Sequence, residues 1–317
     1  MTSPGPPTVG VDLGGTNVRV AVVDRDGQVL AEERAPTPFD WSALRTTITT
    51  LVGRVRGEHP DVAAVGVGAA GLIDRDGTVH YAPNIPRLIR VPLREALVES
   101  LGLPVVVDND ANAAAFGELC HGAARGVAHG LVITLGTGIG GGVICDGRIL
   151  RGAHGFAAEV GHWQFDPNGP ECACGEWGHW EAAASGPALG ALARAAAAAG
   201  DAPKVLARAG GDLRAVTSVE VADAASAGDA DGLRILEAYA RRVALGFAGL
   251  TNILDPEVIV VSGGLVELGD LLLAPLRDAF GAHLEGAPYR PEVPIVPAAL
   301  GERAGVVGAA ALARDLA

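Results

Sequence analysis

The chain has 317 residues, of which 49% are apolar and 19% charged, and 37 Asp and Glu against 24 Lys and Arg give a net charge of −13. That length suits two domains rather than one small one. The acidic balance excludes a nucleic-acid binder, which needs clustered basic side chains, and the apolar content excludes a disordered chain. Forty-five residues are glycine, about twice the usual ~7%. Such density signals tight turns, or backbone pressed against ligands. The first residues, MTSPGPPT, have neither a basic start nor an apolar core, so no signal peptide is expected and the protein reads as cytoplasmic.

In chain order, VGVDLGGTNVRVAVVDRDGQVL (9–30) predicts strand, glycine turn, strand, Asp26-Gly27 turn, strand. Residues 42–56 place Leu44, Ile48, Leu51, Val52 and Val55 at helical spacing, with Ser42 as the expected N-cap. A strand over 62–70, a helix over 93–101 and a strand over 105–107 follow. NDANAAAFGEL then opens a helix with Asn and Asp at its N-terminus, where unsatisfied N–H groups and the positive end of the dipole lie. Residues 126–145 carry no charge over twenty positions, the length of a membrane span. Their seven glycines predict two strands around a turn instead, and no membrane partner is expected. VITLGTGIGGGVICDGRIL (132–150) repeats the pattern of the opening, as an internal duplication would. An Ala-rich helical region spans 187–254 and stops at Asp255-Pro256; EVIVVSGG is a strand entering a glycine pair, and 304–316 is a last helix. The alternation points to two α/β domains.

Two nucleotide motifs fail on context. Gly136-x-Gly138-x-x-Gly141 matches the dinucleotide fingerprint, but the strand-like Gly142-Val-Ile-Cys follows it where that site needs a helix. A phosphate-binding P-loop needs Gly-Lys-Ser/Thr, and Lys204, the chain's one lysine, follows a proline. What remains is a pair of glycine turns between strands, one beginning at Asp12 and one bearing Thr137. Such turns aim successive backbone N–H groups into one concavity that suits phosphate oxygens, or they are ordinary hairpins. Two copies, with a third glycine pair at Gly263-Gly264, favour a nucleotide. In GHWQFDPNGPECACGEWGHWE, His162, Cys172, Cys174 and His179 supply four zinc-type donors within eighteen residues. Cys120 and Cys145 lie in apolar stretches and are expected in the core. Asp108, Asn109 and Asp110 sit at a strand–helix junction, where open α/β sheets tend to bind ligands; Glu159 and Glu181 flank the metal candidate.

The segments DLGGTNVRVAVVD, PNIP, DNDANAAAFGE, LGTGIGGGVICDGRILRGAHGFAAEVGH, CACGEWGHWEAAASG and DPEVIVVSGGL together resemble the ROK family of sugar kinases, over residues 9 to about 311. The likeness is greatest to its bacterial ATP-dependent glucokinases. It implies an α/β, actin-like, hexokinase-type (ribonuclease H-like) duplicated two-domain fold with a central cleft. One domain would be residues 1–117, completed by a C-terminal helix at about 302–317. The other would be 118–301, with the zinc-binding segment 162–179. Carried over by position, Asp12, Gly14, Gly15 and Thr16 form a first phosphate turn, with Asp12 near Mg²⁺. Gly136, Thr137 and Gly138 form a second, and Gly263 and Gly264 lie at the adenosine. Asn84, Asn109, Asp110, Glu159, His162 and Glu181 hold the sugar, and Asp110 is the catalytic base. His162, Cys172, Cys174 and His179 hold a structural Zn²⁺, with His162 reaching the sugar through its other ring nitrogen.

Two departures stand out. The family usually has a third Cys where this chain has His179, and Ala158 stands where glycine is common. The activity implied is ATP-dependent phosphorylation of a hexose 6-hydroxyl, with glucose first. N-acetylglucosamine, N-acetylmannosamine, mannose or fructose are alternative acceptors, and polyphosphate an alternative donor. A catalytically silent sugar-binding regulator is the rival from another class. The family's habit implies a homodimer or homotetramer. The regulators of the family carry an N-terminal helix-turn-helix domain, for which a first strand beginning within ten residues leaves no room.

Overall fold

A computed structural model describes residues 5–83, 85 and 88–317, Asp315 by its backbone alone. Asn84 therefore lies outside the described residues. The chain divides into two compact units, residues 1–132, 141–158 and 298–317 in one and 133–140 and 159–297 in the other.

In the first unit, β1 (Thr8–Leu13), β2 (Asn17–Val23) and β3 (Val29–Pro36) form a meander, followed by α1 (Trp41–Glu58) and β4 (Val65–Ala69). A short hairpin, β5 (Leu72–Ile73) and β6 (Val79–Tyr81), leads to α2 (Leu93–Leu101), β7 (Val105–Asn109) and α3 (Asp110–His121). The sheet order is β3-β2-β1-β4-β7. The turn 14–16 fixes the first hairpin's register, with Leu13 opposite Val18 and Asp12 opposite Arg19. Alternation then sends Val9, Val11 and Leu13 to one face, where they pack with Leu44, Ile48 and Val52 of α1. Helix α1 starts two residues earlier than its expected cap implies. Asp40, not Ser42, is its N-cap and accepts the Ala43 N–H at 3.2 Å.

The other face is covered by backbone. A side chain at Gly10 or Gly66 would overlap the carbonyls of Val306 or Ala309, in α10 (Ala304–Leu312), the last of the helices that follow. Across from the sheet, Gly308 lies equally close to the Ala113 carbonyl of α3. Strand, helix and helix thus meet through glycines, which alone permit so close an approach. Glu118 of α3 is fully buried, and its carboxylate accepts the N–H groups of Ala123 (2.7 Å), Ala299 (3.1 Å) and Leu300 (2.8 Å). A buried charge is tolerable when donors saturate it.

The second sheet uses β8 (Gly130–Leu135), β9 (Ile139–Cys145), β10 (Arg148–Ile149), β11 (Val258–Ser262) and β12 (Ile295–Pro297), in the order β10-β9-β8-β11-β12. It repeats the first sheet's plan, a meander whose opening strand is extended by later strands, as expected from the duplicated sequence. The Ala-rich region resolves into α4 (Trp180–Ala184), α5 (Gly186–Ala198), α6 (Pro203–Arg208), α7 (Ser218–Ser226) and α8 (Ala230–Leu254). Trp180 of α4 stands edge-on to Phe247 of α8 at 5.9 Å and donates its indole N–H to the Arg242 carbonyl at 3.2 Å. Helix α9 (Asp270–His283), with Pro275 inside it, lies in a stretch for which the sequence reading assigned no element. Its buried Leu272, Leu273, Leu276 and Phe280 hold it in place. Cys145, expected in the core, is exposed at the end of β9.

Candidate active site

The junction of β7 and α3 builds the first part of the site. Asn109 caps α3, its Oδ1 accepting the N–H groups of Ala111 (2.8 Å) and Asn112 (3.1 Å) while its Nδ2 donates to the Gly71 carbonyl at 3.1 Å. With the oxygen committed, the amide can offer a ligand only its remaining N–H. Asp110 follows as the first residue of the helix, and its Oδ1 shares the Ala111 N–H at 2.9 Å. No hydrogen bond engages its Oδ2 among the described residues. Burial raises the Asp110 carboxyl above the usual carboxylate range, against the pull of the backbone N–H bond.

Asp108, two residues earlier in the strand, is fully occupied. Its Oδ2 takes Arg151 through Nε and Nη2, both at 2.7 Å, and its Oδ1 accepts from Asn109 N (2.8 Å) and Asn112 Nδ2 (3.0 Å). Arg151 was missed in the sequence, since nothing local links it to a residue forty-three positions away.

Asp12, at the end of β1, precedes the turn 14–16, which is closed by Gly14 N–H to the Asn17 carbonyl at 3.1 Å. Thr37 fastens the turn, donating its hydroxyl to the Gly14 carbonyl at 2.7 Å. Burial, then repulsion from Asp110, pushes the Asp12 carboxyl up to about 6, with Arg19 pulling the other way. Asp12 and Asp110 are thus two desolvated carboxylates in one place. This is a negative site that fits a divalent cation.

In the second unit, the turn 136–138 is closed by Gly136 N–H to the Gly138 carbonyl at 3.0 Å. Gly186, at the start of α5, donates its N–H to Gly136 at 2.8 Å. Gly263, at φ 100°, lies so close to Leu135 that a side chain there would overlap its backbone, so the Gly263-Gly264 pair adjoins this turn. Glu181 adjoins it as well, with Oε2 accepting the Ile139 N–H at 2.9 Å and Oε1 the Cys172 thiol at 3.4 Å. Glu159 is exposed, and its carbonyl accepts the His162 N–H at 3.0 Å.

The four expected metal donors come together. Ligand atoms of His162, Cys172, Cys174 and His179 all lie within 4.8 Å of one another. The Cys172 Sγ to His162 Nδ1 distance is 3.8 Å and that from Cys174 Sγ to His179 Nδ1 is 3.2 Å. Tetrahedral zinc with bonds of about 2.0–2.3 Å has edges of roughly 3.5 Å, so the donors fit the ion. Burial, aided by side-chain hydrogen bonds with Cys174 and Glu181 and opposed by the Cys174 backbone N–H, pushes the Cys172 thiol up to about 12. A cation among the donors would reverse that.

The ROK family profile matches residues 8–316. The chain belongs to the ROK family. This ROK protein is 42% identical over 311 residues to a glucokinase of Streptomyces coelicolor, covering 97% of this chain and 98% of that one. A Thermotoga maritima glucokinase is 36% identical, with 97% of each chain covered. The crystal structure of a ROK family glucokinase from Streptomyces griseus in complex with glucose and AMPPNP aligns with a TM-score of 0.87 at 40% identity, over 98% of this chain and 99% of that one. The fold of this ROK protein is therefore the actin-like, hexokinase-type duplicated α/β fold. Among its described residues, no helix is long and apolar enough to cross a membrane.

Proposed function

We propose that this ROK protein is a cytoplasmic ATP-dependent glucokinase, a phosphotransferase acting on the 6-hydroxyl of glucose, and a homodimer or homotetramer that needs no nucleic acid. The observation that carries the reading is Asp110, a desolvated carboxylate with one oxygen free at a helix N-terminus, beside an amide held as a donor. The glucose 6-hydroxyl donates to Asp110 Oδ2 and is oriented in line with the γ-phosphorus. As the new O–P bond forms and the bond to the bridging oxygen of ADP breaks, the hydroxyl proton passes to Asp110. A carboxyl raised above the ordinary range is a better acceptor near neutral pH than a solvated one. Asn109 donates to a second sugar hydroxyl; Asn84, Glu159, His162 and Glu181 are assigned the others.

Asp12 is assigned the Mg²⁺, which would offset charge on the phosphate oxygens, and the turns 14–16 and 136–138 are assigned those oxygens through the N–H groups that do not close the turns. Gly263 and Gly264 are assigned the adenosine. An assay of sugar 6-phosphate formation over glucose, mannose, fructose, N-acetylglucosamine and N-acetylmannosamine, with ATP (where ADP release is read in parallel) and with polyphosphate as donors, tests the assignment. Glucose with ATP is expected to lead, by about tenfold or more in kcat/KM over the N-acetylated sugars. Absence of sugar phosphate with every sugar and with both donors would establish the silent regulator instead.

His162, Cys172, Cys174 and His179 are assigned a structural Zn²⁺, which fixes the loop carrying His162 and adjoining Glu181. Cys172→Ser is expected to lose the metal, lower the melting temperature and raise the glucose KM. His179→Cys is expected to keep it, because a thiolate can take the same corner. Metal analysis of the purified variants decides both; a metal-free His179→Cys protein would remove His179 from the ligand set.

A further inference from the structure

Arg19 has no part in the assignment above, and it occupies an unusual position for an arginine. It stands directly opposite Asp12 in the β1–β2 register, so both side chains leave the same face of the sheet. That is the face covered by α10, where Ala21 and Val23 of β2 pack on Val306, Val307 and Ala310. The Arg19 side chain is only 14% exposed. Its Nη1 donates to the Glu302 carbonyl at 2.6 Å and its Nη2 to Glu302 Oε2 at 3.1 Å, while Nε lies 3.5 Å from Glu32 Oε1. Glu32 is shared with Arg303 at 3.2 Å. The guanidinium is thereby fixed at the N-terminal end of α10, whose Gly305 lies against Asp12. A Cβ at Gly305 would stand 3.0 Å from the Asp12 carboxyl carbon.

An arginine serving only as a strap would not need this place. The two carboxylates it touches are both accessible, Glu302 at 77% exposure and Glu32 at 26%. A pair of that kind contributes little on its own. What the position does supply is a fixed, largely buried positive charge on the same sheet face as Asp12. It adds a protein-borne charge of opposite sign next to a carboxylate that must work beside anionic phosphates.

We propose that Arg19 is a positioning residue for Asp12 on the donor side of the reaction, its charge holding the Asp12 carboxylate in place beside anionic phosphates; this rests on the donor-side reading of Asp12 above. Three substitutions separate charge from strapping. Arg19→Met removes both, Arg19→Lys keeps the charge and loses the planar fork, and Glu302→Ala keeps the charge and the carbonyl contact.

Steady-state kinetics with glucose and Mg·ATP varied separately, alongside thermal melts, reads the difference. Arg19→Met is expected to raise the KM for Mg·ATP about tenfold, or ~1.4 kcal/mol, with the glucose KM changed less than about twofold. Arg19→Lys is expected to recover most of that loss, and Glu302→Ala to change only the melting temperature. If Arg19→Met does not fold, Arg19→Gln, which keeps amide donors without the charge, replaces it. Arg19→Lys behaving like Arg19→Met, or Glu302→Ala reproducing its kinetics, would overturn the proposal in favour of a strap. Asp12→Ala serves as the reference. If it leaves the Mg·ATP KM unchanged, the donor-side reading of Asp12 fails; if it raises that KM and Arg19→Met does not, the Arg19 inference alone fails.

Discussion

Asp110→Asn is expected to lower kcat by ~10²–10⁴-fold while leaving glucose affinity within a few-fold. The amide has the size of the carboxyl and can still accept the Ala111 N–H through its oxygen, so α3 starts as before. What it lacks is the capacity to take the hydroxyl proton. Asp108→Asn should behave differently. Its carboxylate already holds Arg151 and Asn112, and the change strips a guanidinium of its partner. The expected loss is one of stability, about 1–3 kcal/mol, with a milder effect on kcat. Turnover measured together with glucose binding and melting temperature separates the two. Near-normal kcat in Asp110→Asn with a collapse in Asp108→Asn would move the base to the strand.

Asp12→Asn is expected to make the protein more stable and far less active. Burial and the neighbouring Asp110 lift the Asp12 carboxyl from 3.8 to about 6, so the ionised form is held at a cost in the folded state. At about 1.4 kcal/mol per pH unit this is on the order of 3 kcal/mol, and partial solvent access brings it to about 1–2. Below pH 3.8 the unfolded chain is protonated too and the cost vanishes. It grows as pH rises between 3.8 and 6 and is complete above that. The variant should therefore unfold at higher temperature than the parent at pH 7.5 and at the same temperature near pH 4. Mg·ADP should narrow the gap at pH 7.5 by stabilising the parent alone, and Mg·ATP turnover should fall by ~10²-fold or more. An Asp12→Asn protein no more stable than its parent at pH 7.5 would show that the carboxylate is compensated in the apo protein.

The regular elements were legible wherever apolar spacing carried them, as in α1, or wherever a glycine turn set a register. The two hairpins of the duplicated unit belong to the second kind. Counting outward from Gly15-Thr16, with Gly14 facing Asn17, places Asp12 opposite Arg19, a pairing that sequence reading passed over. Less legible was what depends on partners far along the chain. The Arg151 grip on Asp108, the saturation of Glu118 by Ala299 and Leu300, and the adjacency of Gly305 to Asp12 join segments with no shared local signal. A serine outranked the true cap at Asp40 because the apolar pattern begins after both, and α9 was not read at all. The metal donors were legible because they fall in one short segment. Which nitrogen of each imidazole meets its cysteine was not, since ring orientation follows from packing such as the edge-on approach of His162 and His179 at 5.4 Å.

The glycine-to-carbonyl seams beneath α10 also bear on how the chain is made. The first unit's sheet is finished by residues 298–317, which leave the ribosome after all of 159–297. At 5–20 residues per second that interval is roughly 7–28 s, during which the face carrying Gly10, Gly66, Ala21 and Val23 has no cover. A nascent chain in this state presents a slotted apolar surface shaped for a helix of glycine and alanine. A chain cut short before residue 298 is therefore expected to aggregate rather than fold, which sedimentation of the truncated product checks.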